Sequence, residues 1–242
     1  MLWKPLKFVM IVSFVCAATF TAVLAVGGYF DSRAFVLEVP QHAKQRSDIV
    51  AIYWSGDMGL RVGSGDRLVH ALLERGIPVL TASSSMLFGE SRDSAFVDRA
   101  LEQSLRIALA KSGARSLAVI GNSFGADILG SGLGRVSPAL RRRIESVVLI
   151  APETRVYFHA NPTGIYYRGP ASSDPAHTIP FLRGLPVTCI YGTAERESLC
   201  RSNVLQTAYN VALNDGHLLR SSRKALSAAL VQAVEHPPKP FL

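Results

Sequence analysis

Val119-Ile120-Gly121-Asn122-Ser123-Phe124-Gly125-Ala126-Asp127 decides how the rest of the chain is read. Before it, Ser116 to Ile120 is a short apolar run of strand type; after it, Gly125 to Leu133 suits a helix. A serine on so sharp a strand-to-helix turn has a strained backbone, and its flanking positions must be small for helix and strand to approach. Glycine fills both places, at Gly121 and Gly125. The turn lifts the hydroxyl out of the sheet. The Phe124 N–H then stands at the start of a helix whose dipole favours negative charge, which makes half of an oxyanion hole. In a chain with 19 glycines the Gly-x-Ser-x-Gly spacing alone is a weak signal, so its context and partners must carry the argument.

Outward from this turn the elements alternate. Ala34 to Val39, Asp48 to Trp54, Ile77 to Thr81, Ser146 to Ile150, Val187 to Tyr191 and Val204 to Ala212 read as strands. Asp66 to Arg75, Asp93 to Lys111, Pro138 to Ile144 and Ser221 to Val234 read as helices, the second with Val97, Leu101, Leu105, Ala108 and Leu109 as its apolar stripe. Such alternation predicts an α/β fold with a mainly parallel sheet covered by helices on both faces. Ligands bind such sheets beyond the carboxyl ends of the strands, where the Ser123 turn lies.

A serine hydroxyl needs a base, and the base needs an acid to hold its tautomer. In folds with this turn the partners follow in the order serine, acid, histidine. His217 comes after the last strand through the turn sequence Asn214-Asp215-Gly216 and is the candidate base. The acid is sought after Val187 to Tyr191, in Gly192-Thr193-Ala194-Glu195-Arg196-Glu197: Glu195 is the first choice, Glu197 its alternative and Glu153 a more distant one. The second oxyanion donor is expected in Trp54-Ser55-Gly56-Asp57-Met58-Gly59, from the N–H groups around Asp57 and Met58. Asp127 falls in the first turn of the elbow helix, where a carboxylate complements the dipole; turned inward with Asp57, it suits a cationic group of the substrate. Tyr157 and Tyr166, in the irregular stretch Pro152 to Gly184, are candidate substrate contacts from a lid or binding loop. His159 and His177 in that stretch lack metal-ligand spacing, and this chemistry needs no metal or organic cofactor.

The first 30 residues form a separate unit: Lys4 and Lys7, then an uncharged run from Phe8 to Phe30, the form of an export signal or signal-anchor helix. Val23-Leu24-Ala25 offers a small-residue cleavage site. Residues 31–242 then make one domain. Of the three cysteines Cys16 lies in the leader, leaving Cys189 and Cys200 to form a disulfide across the acid loop in an oxidising compartment. The net charge is +8, and subtracting the two leader lysines leaves +6 for the domain. That charge favours anionic phospholipid headgroups, whereas the absence of an aromatic-interleaved basic stripe or known motif excludes nucleic acid.

Together these residues resemble the bacterial virulence protein AcvB/VirJ family of α/β-hydrolase-fold proteins. The resemblance covers most of residues 48–235 and rests on Trp54-Ser55-Gly56-Asp57-x-Gly59, Gly121-x-Ser123-Phe124-Gly125-Ala126-Asp127, Tyr191-Gly192-x-x-Glu195-x-Glu197-Ser198-Leu199-Cys200 with Cys189, and Gly216-His217. It implies an α/β-hydrolase fold and a periplasmic location, with the N-terminal helix as signal or inner-membrane anchor. It also implies hydrolysis of the aminoacyl ester of lysyl-phosphatidylglycerol by Ser123 and His217. Where the family often has Asp this chain has Glu197, so Glu195 and Glu197 stay alternatives. Met58 and Asp215 stand where the family has glycines. Two other readings remain: a non-catalytic binding protein of a virulence or secretion apparatus, and a general periplasmic esterase.

Overall fold

The computed structural model describes residues 3–41, 47–161, 167 and 169–242. In chain order its main elements are α1 (Trp3–Val26), β1 (Phe35–Glu38), β2 (Ile49–Trp54), α2 (Gly65–Glu74), β3 (Val79–Ala82), the single turn α3 (Ser84–Leu87) and α4 (Ser94–Ser112). There follow β4 (Ser116–Asn122), α5 (Phe124–Gly132), the short α6 (Pro138–Arg141), β5 (Ile144–Ile150), α7 (Pro175–Thr178), β6 (Val187–Gly192), β7 (Tyr209–Leu213) and α8 (Arg223–Glu235). The strands form one sheet in the order β1-β3-β2-β4-β5-β6-β7. Only β1 is antiparallel to its neighbour, so β2 to β7 open their carboxyl ends on one edge.

The alternation of side chains along each strand divides the core in two. Val50, Ile52 and Trp54 of β2 and Leu117 and Val119 of β4 face Val97, Leu101 and Leu105 of α4 and Ile128 and Leu129 of α5. Ala51, Tyr53, Ala118 and Ile120 face the opposite way, onto Leu68, Val69 and Leu72 of α2 and Leu226 and Leu230 of α8. The central strands are buried on both faces along most of their length, which is why they are mainly apolar, with polar Ser116, Asn122 and Glu145 near their ends where burial falls off.

Three expectations need correction. The strand expected over Val204 to Ala212 begins at Tyr209, because Asn203–Leu205 makes a 3₁₀ turn that buries Leu205. The helix expected over Pro138 to Ile144 ends at Arg141, and Ile144 already starts β5. The stretch from Pro152 to Gly184 is not without secondary structure: it holds α7 and a 3₁₀ turn at Ile179–Leu182. Backbone bonds from Arg92 N to Phe158 O and from Ala160 N to Phe88 O, both near 2.8 Å at 2.9 and 2.7 Å, fix its first half to the α3–α4 connection.

Among the described residues no helix is long and apolar enough to cross a membrane. Many large apolar side chains of α1 are nonetheless exposed, Phe14 by 75% and Phe8 by 69%. The chain after α1 docks on the domain: Ser85 donates its hydroxyl to the Gly27 carbonyl at 2.6 Å, and Arg61 pairs with Asp31.

Candidate functional site

The turn after β4 has the strain its sequence requires. Ser123 sits at φ 50°, ψ −116°, one of three non-glycine residues with positive φ among the described residues. Its two glycines answer separate close approaches. A Cβ on Gly121 would lie 2.5 Å from the Gly125 carbonyl oxygen, and one on Gly125 would lie 2.3 Å from that of Trp54. No side chain fits at either place. Ser123 N–H donates to the Ile150 carbonyl at 2.7 Å, tying the turn to the end of β5.

His217 reaches the serine from the loop after β7. Its Nε2 lies 2.9 Å from Ser123 Oγ, across 94 residues of sequence. The loop is held by Asp215, whose carboxylate accepts from the N–H groups of Gly216 (2.8 Å), Ser221 (2.7 Å) and Ser222 (2.8 Å). Desolvation alone would raise the Asp215 pKa, but these donors outweigh it and lower it. This gives the residue that replaces a glycine a structural role.

The carboxylate that meets the histidine is Glu195: Oε1 lies 2.5 Å from His217 Nδ1, and the side chain is only 10% exposed. Glu197, two residues on, is exposed and lines a neighbouring part of the surface. The acid loop is laced to the histidine loop by Thr193 N–H to Leu213 O (2.8 Å) and Ala194 N–H to Asp215 O (3.0 Å). Cys189 in β6 is disulfide-bonded to Cys200, with Cα atoms 5.6 Å apart, which closes the loop at its far end. The hydrogen bond that His217 donates to Glu195 raises the His217 pKa above its ordinary 6.5, with burial opposing it and the charges of Glu195, Glu153 and Asp57 adding to it.

Ser123 and His217 open into a cleft of about 370 Å³ that Asp57, Met58, Phe124, Asp127, Glu153 and Tyr167 help to line. Three of these are carboxylates. Asp127 is buried, and desolvation followed by the neighbouring Glu153 charge pushes its pKa well above the usual range. It accepts the Glu153 N–H at 2.8 Å. Glu153 is raised by desolvation against the pull of His217, and its Oε1 lies 4.0 Å from His217 Nε2. Desolvation also raises Asp57, whose carboxylate accepts the Tyr167 hydroxyl at 3.0 Å and is favoured by the N–H groups of Met58 and of Asp57 itself. Tyr167 in turn stacks on Tyr157, ring centroids 4.8 Å apart. Gly59 N–H to Gly56 O at 3.0 Å closes the turn that carries Asp57 and Met58, with Gly59 at φ 74°. Met58 is not among the positive-φ residues, so the turn takes a methionine where the family has glycine without strain there.

The structure thus brings together Ser123, Glu195, His217, Phe124, Asp57, Met58, Asp127 and Tyr157; Tyr166 lies outside the described residues. Sequence reasoning missed Tyr167, and it considered Glu153 only as a triad acid. A tyrosine pair inside a lid-like stretch was visible; the reach of Tyr167 to Asp57 was not.

Sheet order, strained serine turn and the position of the site at the strand ends define an α/β-hydrolase-fold protein. Solved structures share the fold. Est1E from Butyrivibrio proteoclasticus superposes with a TM-score of 0.63 at 13% identity, over 83% of this chain and 92% of that one. An alpha-beta serine hydrolase homologue from Coxiella burnetii gives 0.58 at 14%, over 83% and 90%. The enol-lactonase from Burkholderia xenovorans LB400 gives 0.56 at 13%, over 84% and 96%. Residues 48–237 match the model of the family described as bacterial virulence protein (VirJ), and the chain belongs to that family. A search of the curated proteins found no match.

Proposed function

We propose that this protein is a periplasmic serine hydrolase that cleaves the ester between an amino acid and a phospholipid headgroup, as in lysyl-phosphatidylglycerol. The observation that carries this reading is the set of three carboxylates, Asp57, Asp127 and Glu153, in the cleft that holds Ser123 and His217. Hydrolysis of an ester builds negative charge on the carbonyl oxygen, so carboxylates beside it oppose the reaction. A substrate that brings its own ammonium groups removes that opposition. An aminoacyl ester has an α-ammonium two bonds from the carbonyl carbon, and a lysyl ester has a second at the end of its side chain.

The geometry supports the following mechanism. Ser123 Oγ attacks the ester carbonyl while His217 Nε2 takes its proton, and Glu195 holds Nδ1–H and stabilises the imidazolium. The N–H groups of Phe124 and of the Asp57–Met58 turn receive the oxyanion. His217 returns the proton to the departing glycerol oxygen, leaving the aminoacyl group on Ser123. Water, deprotonated by His217, then attacks that ester, releasing the free amino acid and restoring the serine. The disulfide and the leader sequence support an exported site of action.

The test is incubation of the purified protein with liposomes containing lysyl-phosphatidylglycerol, comparing wild type with Ser123→Ala. Release of lysine by wild type alone is the expected result. A folded wild type that releases no amino acid from any aminoacyl lipid, and hydrolyses no simple ester, would leave a binding role for the fold and end the enzymatic reading.

A further inference from the structure

The segment after α1 belongs, by sequence, to the leader, yet it touches the serine site through one side chain. Tyr29 donates its hydroxyl to the Asp57 carbonyl at 2.9 Å. Its ring packs against Gly89, where a Cβ would come within 3.6 Å of the ring, and against the larger core cluster that includes Phe88. The segment is anchored independently at Gly27, whose carbonyl accepts the Ser85 hydroxyl at 2.6 Å. Gly59 is fitted against the same carbonyl so closely that a Cβ there would stand 2.2 Å from it. The leader's end and the Gly56–Gly59 turn are therefore packed as one unit.

The place where Tyr29 binds matters. Residues Gly56 to Gly59 form a β-turn closed by the outer bond from Gly59 N–H to Gly56 O. In such a turn the central peptide, here Asp57–Met58, can rotate between the two common turn types while the outer bond survives. Because a peptide is planar and trans, its C=O and N–H point in opposite directions, and rotation would swing the Met58 N–H away from where it points now. A donor on the Asp57 carbonyl opposes that rotation. It also polarises the peptide and strengthens its N–H as a donor. Met58 and Asp57 line the cleft with Ser123.

We propose that Tyr29 is a positioning residue for hydrolysis: by holding the Asp57–Met58 peptide it fixes the turn from which the second oxyanion donor is expected, so the working domain begins at Gly27 and not after Phe30. The inference rests on the hydrolase reading above. It also requires that any cleavage of the leader fall before Gly27, a condition the Val23-Leu24-Ala25 site meets.

Tyr29→Phe in the full chain removes one hydroxyl and keeps the ring packing. Steady-state hydrolysis of a soluble lysine ethyl ester is measured for wild type, Tyr29→Phe and Ser123→Ala, with thermal unfolding alongside. Complete loss of an oxyanion donor costs on the order of 10²–10³ in kcat, and loosening one costs less, about tenfold. The expected result is that fall in kcat for Tyr29→Phe, with KM within about twofold of wild type and the Tm unchanged. An unchanged kcat overturns the proposal, and so does a rise in KM alone, which would assign Tyr29 to substrate binding. Should Tyr29→Phe fail to fold, Tyr29→Met, which likewise removes the hydroxyl that bonds the Asp57 carbonyl and keeps an apolar side chain beside Gly89, carries the same expectation, and an unchanged kcat there overturns it. A wild type no faster than Ser123→Ala sinks the hydrolase reading itself, whereas an active wild type matched by Tyr29→Phe sinks only this inference.

Discussion

Three carboxylates beside a serine that must generate an oxyanion are a liability unless the substrate is cationic, and that condition can be measured one residue at a time. Glu153 is half exposed at the cleft wall, so Glu153→Gln removes a charge with little cost to the core. For a lysine ester its KM is expected to rise about tenfold, the size of one charge-assisted contact; for a neutral ester of the same alcohol kcat/KM is expected to hold or increase. Equal losses on both esters would contradict the ammonium reading. His217 supplies a second test. The base must be neutral to take the serine proton, and Glu195 raises its pKa above 6.5. Activity is therefore lost as pH falls through that raised value, so the acid limb of the kcat/KM profile lies above 6.5. In Glu195→Gln the largest cause of the shift is gone and the limb moves to lower pH, while kcat falls on the order of 10³–10⁴-fold because the tautomer is no longer held. A limb that stays in place in that variant would remove Glu195 from the triad and return Glu197 to consideration.

Among the elements, the loop between β6 and the Leu199–Arg201 3₁₀ turn carries the acid, and its disulfide spans 11 residues of sequence. Closing so short a loop restricts the unfolded chain by about 3 kcal/mol in the loop-entropy model. Replacing both cysteines by serine is expected to lower the Tm by roughly 6–12 °C, from about 2–4 °C per kcal/mol for a domain of this size, and to reduce kcat as the Glu195 loop loosens. A Tm drop with unchanged kcat would show that the bonds from Thr193 and Ala194 to the histidine loop suffice to place the carboxylate. The elements themselves were largely legible in sequence, because strand, turn and helix are written in local periodicity and in glycines with local reasons, as at Gly121 and Gly125. The cysteine pair could be read by count. What local pattern could not give was register and reach: Tyr167 meets Asp57 across 110 residues and Tyr29 meets it across 28. The Val204 to Ala212 stretch misled for a related reason, since Val204 and Leu205 are apolar to fill a 3₁₀ turn rather than to line a strand.

At the scale of the whole molecule, charge is divided by sign. The domain beyond the leader carries about +6, yet three carboxylates, Asp57, Asp127 and Glu153, stand in its cleft against two arginines, Arg155 and Arg220. A basic exterior attracts the domain to an anionic bilayer, and the acidic cleft then selects the cationic headgroups within it. These two attractions differ in range, which makes them separable. Surface attraction acts over a Debye length, about 30 Å at 0.01 M salt and 3 Å at 1 M, whereas contacts inside a partly buried cleft are screened much less. Raising the salt from about 0.01 to 0.5 M is thus expected to slow hydrolysis of an aminoacyl lipid in anionic vesicles by about tenfold or more, and to change hydrolysis of a soluble lysine ester by less than about threefold. Vesicles made with a zwitterionic matrix lipid should lose most of the salt dependence. If salt slows both substrates alike, the exterior charge plays no part in reaching the lipid, and the cleft alone accounts for selection. If neither responds, the apolar side chains exposed along α1 become the contact with the bilayer, and deleting residues 2–24 from the chain should then abolish activity on vesicles while sparing the soluble ester.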